Sequence, residues 1–113
     1  MAFHKTAQNL KVKEMMLDPD AEILIPAKAD LRHAFCASIA YFLWRGESEA
    51  ENSALLDGFF RISLELGSDF AALLMIDAMN RGKSCGGAKK LYAHPQFKEW
   101  SKKHGKAFSK AIK

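Results

Sequence analysis

Residues 95–113 read PQFKEWSKKHGKAFSKAIK. Wound at about 100° per residue, they place Phe97, Trp100, His104, Ala107, Phe108, Ala111 and Ile112 on one arc and Lys98, Lys102, Lys103, Lys106, Lys110 and Lys113 on the opposite one. Pro95 suits the first position of a helix, where its missing N–H is no loss. The stretch is therefore a basic amphipathic helix, and its aromatic stripe calls for a helical surface to dock on. Whether the upstream sequence supplies one decides the fold.

Immediately before it, Arg81 to Lys90 (RGKSCGGAKK) carries Gly82, Gly86 and Gly87 among four cations. It reads as a basic hinge, with Leu91 to Ala93 as a further turn of helix and 91–113 as the basic C-terminal unit. Upstream again, Asp69 to Asn80 (DFAALLMIDAMN) is apolar almost all round apart from Asp77, the mark of a helix buried in a core or in an interface between subunits. Met75 and Met79 fit either setting. Gly67 and Ser68 read as a stop and restart, with Ser68 or Asp69 as cap.

From Glu47 to Gly67 a helix is predicted by Ser48 and Glu51 in capping-box spacing, and by Leu55, Phe59, Ile62 and Leu66 in one stripe. Gly58 inside that stripe costs about 1 kcal/mol relative to Ala and points to a close helix crossing. Between about Ala27 or Asp30 and Arg45, Leu31, Phe35, Ile39 and Leu43 recur every four residues, with Asp30 as the expected cap and Gly46 as the stop. Tyr41 and Trp44 stand on the remaining arc, so this helix is expected to be covered on most sides.

Ile23, Leu24 and Ile25 could form a brief extended segment, but no second strand-like run exists to pair with it. They are better read as a lead-in covering the base of the next helix. Thr6 to Leu17 fits a short helix ended by Asp18-Pro19-Asp20; the alternative for residues 1–20 is a loosely docked arm containing Phe3, Leu10 and Val12. The fold class that follows is all-α: one compact bundle of about four to five helices spanning 1–113 and closed by the basic helix.

Charge divides the chain sharply. Residues 1–80 hold 7 Lys and Arg against 12 Asp and Glu, and residues 81–113 hold 10 against 1. One reading is an anionic partner for the basic end; the other is that this end packs beside the acidic part of its own domain. The sequence opens without the apolar core of a signal peptide, and no run of about 18 apolar residues is present for a membrane span. A cytoplasmic location with Cys36 and Cys85 reduced is the default expectation.

Gly82-Lys83-Ser84 matches the last residues of a phosphate-binding P-loop, but the glycine required five residues earlier is Asp77, and no strand precedes it. Backbone amides and cations near Gly86 and Gly87 could still meet a phosphate without enclosing it. His33, Cys36, Cys85 and His94 lack the paired close spacing of a structural zinc site. No nucleophile, base and orienting acid are grouped in sequence, so no cofactor, metal or enzymatic activity is expected.

The cations carry the functional expectation. Lys neutralises phosphate, and the set Arg81, Lys83, Lys89, Lys90, Lys98, Lys102, Lys103, Lys106 and Lys110 predicts sequence-independent contacts to a nucleic-acid backbone. Aromatic residues interleaved with them could stack on bases, although Phe97 and Trp100 share the docking face. The alternative is a protein–protein adaptor or regulator, homo-oligomeric or bound to an acidic partner, using the 69–80 helix or the basic tail. Association with an anionic membrane surface ranks third, because few bulky apolar residues line the tail.

Overall fold

The computed structural model describes residues 7–113, with side chains from Lys11 onward. Among these residues every regular element is helical: α1 (Ala7–Leu17), α2 (Ala29–Leu43), α3 (Glu49–Glu65), α4 (Ser68–Arg81), α5 (Gly87–Ala93) and α6 (Phe97–Ile112), with a 3-10 turn at Lys83–Cys85. Phe3 and the side chain of Leu10 lie outside the described residues.

Among the described residues six helices replace the four to five expected, and the additional one is α5. Its separation from α6 has a local cause: His94 precedes Pro95, a position that disfavours helical ψ, and it sits at φ −66°, ψ 138°. The segment 91–113 is thus a short helix, a turn and a longer helix.

Helix starts follow the capping chemistry in one case and depart from it in others. At α3, the Glu51 N–H donates to Ser48 Oγ at 3.1 Å, and the Glu51 carboxylate accepts from the Glu47 N–H at 3.4 Å. Asp30 does not cap α2; Lys28 occupies that position and Asp30 lies in the first turn, where its charge favours the helix N-terminus. The lead-in is held by Arg32, whose guanidinium donates to the Pro26 and Ala27 carbonyls. Gly67 caps α4 at φ −61°, so the α3–α4 turn needs no left-handed residue. Among the described residues only Gly86 has positive φ, at 70°.

The helix expected to be apolar all round, α4, is the hub. It packs most extensively on α6 and next on α2, burying Ala71, Ala72, Leu74, Met75 and Ala78. It lies alongside α2 in the same direction, with Phe70 near Arg32 and His33 at one end and Trp44 Nε1 donating to the Ala78 carbonyl at 2.8 Å at the other. From α2 the core receives Phe35, Ile39, Ala40 and Leu43; from α3 it receives Leu55, Phe59, Phe60 and Ile62. Leu31, expected on the buried face of α2, is 44% exposed; its first-turn neighbours Ala29 and Asp30 are exposed too, while Arg32 in the same turn lies against Phe70.

Residues 11–18 are firmly packed. Val12, Met15 and Met16 are buried, and α1 crosses α3 at Gly58, where a Cβ would collide with the Met16 carbonyl. Arg61 of α3 closes the end of α1, donating to the carbonyls of Met15, Met16 and Asp18 at 2.8, 3.2 and 3.1 Å. Beyond it, Ile23 and Ile25 pack against the core, while Leu24 alternates outward. The described chain has a Cα radius of gyration of 13.1 Å, close to the roughly 13 Å of a compact body of this length. No described helix is long and apolar enough to cross a membrane.

The basic hinge is corrected by its packing. Gly82 and Gly87 are buried against the Trp44 indole, and a Cβ on either would come within 2.6 or 2.7 Å of ring atoms. These two glycines allow close approach instead of loosening the chain. The Gly87 N–H donates to the Gly82 carbonyl at 2.7 Å, and Cys85 N–H to the same oxygen at 3.1 Å, tying the turn to the end of α4.

Candidate functional site

Helix α6 has two chemically distinct faces, and the inner one explains why it docks. Trp100 and His104 are fully buried and Phe108 nearly so. Phe97 stacks on Trp100 at 5.9 Å, and Trp100 meets His104 and Phe108 edge-on at 5.4 and 5.5 Å. Burial of this stripe, worth about 1.5–3 kcal/mol for each large side chain, fixes the rotation of the helix about its axis.

His104 is the polar centre of that face. Its Nε2 faces the Ser63 carbonyl at 3.1 Å and its Nδ1 faces Ser68 Oγ at 2.8 Å, joining the end of α3 to the start of α4. The neutral tautomer with the proton on Nε2 satisfies both: Nε2–H donates to Ser63, and Nδ1 accepts from the Ser68 hydroxyl. Burial lowers the pKa of this imidazole from 6.5, the Lys103 ammonium lowers it further, and the Ser63 and Leu64 carbonyls oppose the shift.

Lys103 belongs to the same junction. Its Nζ donates to the Leu64 carbonyl at 2.6 Å, a cation on the unpaired oxygens that end α3. It therefore separates from the other lysines of α6, with which the sequence grouped it.

The outer face carries Lys98, Lys102, Lys106 and Lys110, all exposed. At four-residue spacing they form one stripe rising about 6 Å per step and about 18 Å in all. Among the described residues, ion pairs join Lys13 to Glu51, Arg81 to Asp77 and His94 to Asp57, and none involves a lysine of α6. Docking of the basic helix on the acidic part of the chain is accordingly achieved by aromatic burial, and these four charges are left facing solvent.

Arg81, Lys83, Lys89 and Lys90 are also exposed, but their settings differ. Arg81 pairs through Nε with Asp77 at 3.1 Å. Lys90 holds its ammonium 6.0 Å from the Trp44 ring centroid. Trp44 and Arg81 line a cleft of about 360 Å³ together with Tyr41, Arg45, Ser84 and Cys85. Arg45, whose guanidinium stacks 4.1 Å above the Tyr41 ring, is the site residue that sequence reasoning missed. Its signal was its place just past the end of α2, which the periodicity of that helix does not register.

A third feature is an apolar groove between α4 and α6, lined by Asp69, Ala72, Leu73, Ala107, Lys110 and Ala111. Leu73 is 52% exposed beside it, and Ile112 at the end of α6 is 58% exposed.

The remaining candidates are dispersed. His33 packs on Phe70 at 4.9 Å, and the Cys36 thiol is buried, its pKa pushed up to about 11 mainly by burial, with Arg32 opposing and Asp77 adding to the rise. His94 stacks on Phe60 at 4.4 Å, accepts from the Gln96 N–H at 3.1 Å through Nδ1, and faces the Asp57 carboxylate at 2.7 Å through Nε2. The described residues contain no group of three or more His, Cys, Asp or Glu able to hold a metal ion. Gly82-Lys83-Ser84 lies at the end of α4 and in the 3-10 turn, and the Gly87 amide, taken by Gly82, is not available to a phosphate.

No protein-family model, curated protein or solved structure matches the chain.

Proposed function

We propose that this chain is a small non-enzymatic nucleic-acid-binding protein or subunit that contacts the phosphate backbone through the outer face of α6. The observation that carries this reading is the stripe of Lys98, Lys102, Lys106 and Lys110, exposed and outside every ion pair of the described residues, on a helix whose rotation is fixed by Trp100, His104 and Phe108. Lysines so placed are electrostatically unsatisfied, and a rigid array orders less on binding than a free tail does. Phosphate binding by such an array is insensitive to base sequence. Lys83, Lys89 and Lys90 supplement it; Lys103, engaged at the end of α3, contributes least.

The test is fluorescence anisotropy with single- and double-stranded oligonucleotides across a salt series. With about five lysines engaged on duplex, log affinity falls against log salt with a slope near −4 to −5. Replacing Lys98, Lys102, Lys106 and Lys110 together with Gln abolishes binding while leaving the fold intact. Unchanged affinity in that variant sinks the assignment.

A second reading, a protein–protein adaptor or a homo-oligomer, is favoured by exposed Leu73 beside the Ala72–Ala107–Ala111 groove. Apolar contacts of this kind persist at high salt, so light scattering at low and high salt separates it from the phosphate reading. A cytoplasmic setting suits both readings.

A further inference from the structure

The cleft at Tyr41, Trp44, Arg45, Arg81, Ser84 and Cys85 is not explained by the α6 stripe. Its volume of about 360 Å³ lies within the range of small-ligand sites, about 300–1,000 Å³. Two guanidinium groups line it, and each is engaged in a way that leaves donors over. Arg45 uses its flat face on Tyr41, which leaves the N–H groups in the guanidinium plane for hydrogen bonding. Arg81 meets Asp77 through Nε, which leaves both terminal nitrogens outside that pair. Ser84 adds a hydroxyl.

The charge balance favours an anion. Arg45 and Arg81 line the cleft and the Lys90 ammonium stands near its Trp44 wall; opposing them are Asp77 and the partial negative charges at the ends of α2 and α4, about half a charge each. An excess of about one positive charge remains. One of the helix-end carbonyls, Ala78, is already covered by Trp44 Nε1 and the Gly82 N–H.

The wall is as informative as the charge. Trp44 is fixed by its hydrogen bond to Ala78 and by Gly82 and Gly87 packed on its ring, and Tyr41 is held beneath Arg45 and edge-on to Phe42 at 5.3 Å. Two immobilised aromatic rings beside two guanidinium groups suit a ligand with a doubly charged head and a flat or apolar body. We propose that this cleft binds a phosphate monoester, with Arg45 and Arg81 as charged donors, Ser84 as the neutral donor and the Tyr41–Trp44 wall against the attached group. A monoester carries close to two negative charges at pH 7, one for each lining guanidinium, whereas a backbone diester carries one. The site does not depend on α6, and it takes side-chain donors where a P-loop would take backbone amides.

The same head group occurs in free phosphate, in a nucleoside monophosphate and at the 5′ end of a nucleic-acid strand. Two-dimensional NMR of the ¹⁵N-labelled chain, following the Trp44 indole N–H and the Ser84 and Cys85 amides, distinguishes them. Adenosine monophosphate shifts these signals saturably and adenosine does not. Inorganic phosphate acting as strongly as the nucleotide assigns the site to free phosphate; a 5′-phosphorylated oligonucleotide acting more strongly than both, and more than its 5′-hydroxyl counterpart, assigns it to a strand end. Arg45→Gln and Arg81→Gln each weaken the response about tenfold or more, the scale of one charge-assisted hydrogen bond. Lowering the pH through about 6, where the monoester loses its second charge, weakens it too. With Lys98, Lys102, Lys106 and Lys110 replaced by Gln, the nucleotide response persists, so failure of the α6 reading leaves this one standing. Absence of shifts with every phosphorylated probe at millimolar concentration overturns the proposal, as does a response in both arginine variants equal to that of the unsubstituted chain.

Discussion

Two of the places where this molecule brings cations to the ends of helices use them oppositely. Where α3, α4 and α6 meet, Lys103 is bonded to the Leu64 carbonyl and His104 to Ser63 and Ser68, so both side chains are matched inside the fold. Where α2 and α4 end near the 3-10 turn, Arg45 lies on Tyr41 and Arg81 on Asp77, and both remain exposed with donors unused. Neighbouring cations on one helix, Lys102 and Lys103, thus fall into different categories. Charge in a sequence indicates where an anion is welcome; only the partners decide whether the anion is already there.

If this contrast is right, substitutions at the junction cost stability and substitutions at the cleft do not. Trp100→Ala, removing the fully buried ring against which His104 packs, is expected to cost about 3 to 5 kcal/mol by urea denaturation. A loss below about 1 kcal/mol would mean that α6 is not seated as described. His104→Ala leaves the buried Ser63 carbonyl and the Ser68 hydroxyl without their shared partner, for an expected loss of about 1 to 3 kcal/mol.

The same histidine makes stability depend on pH with a definite sign. Its folded pKa lies below the ordinary 6.5, so the unfolded chain takes up the proton first as pH falls. Its contribution is complete above 6.5 and is lost progressively below it, towards the folded value. Thermal denaturation between pH 7.5 and 5 should show a downward slope that His104→Gln reduces; an unchanged slope in that variant would place the titrating group elsewhere.

Smaller effects draw the comparison more finely. Lys103→Met should cost about 0.3 to 1 kcal/mol through the lost cation at the end of α3, whereas Lys106→Met on the outer face should stay within about 0.5 kcal/mol. Arg45→Gln and Arg81→Gln should also stay within about 0.5 kcal/mol. A larger loss at either arginine would turn the cleft into a second structural junction.

What the sequence made legible follows from how local each signal is. The Ser48–Glu51 cap, the stripe through Leu55, Phe59, Ile62 and Leu66, and the close approach at Gly58 depend on spacing within one helix or on the absence of a side chain, and each is found in place. Expectations that needed a second element fared differently. Gly82 and Gly87 read as loose because glycine usually loosens a loop, yet Trp44, about forty residues earlier, fills the space they leave. Leu31 fits the stripe of α2, but Phe70 of α4 meets Arg32 and His33 at that turn and Leu31 stays 44% exposed. At the candidate site, the lysine stripe was legible from period alone, while the diversion of Lys103 to α3 and the arrival of Arg45 beside Arg81 depend on packing between helices.

The contrast between the two thiols makes the chain its own stopwatch. Cys85 is exposed and should react with an alkylating reagent in the fully folded state, whereas Cys36 is buried between helices and holds its proton to about pH 11. Once Cys85 is blocked, further labelling at neutral pH requires α2 to part from its neighbours. The rate of the second modification then measures how often that packing opens, without denaturant, and comparing it with the global unfolding equilibrium tells whether α2 leaves alone or only when the whole bundle comes apart.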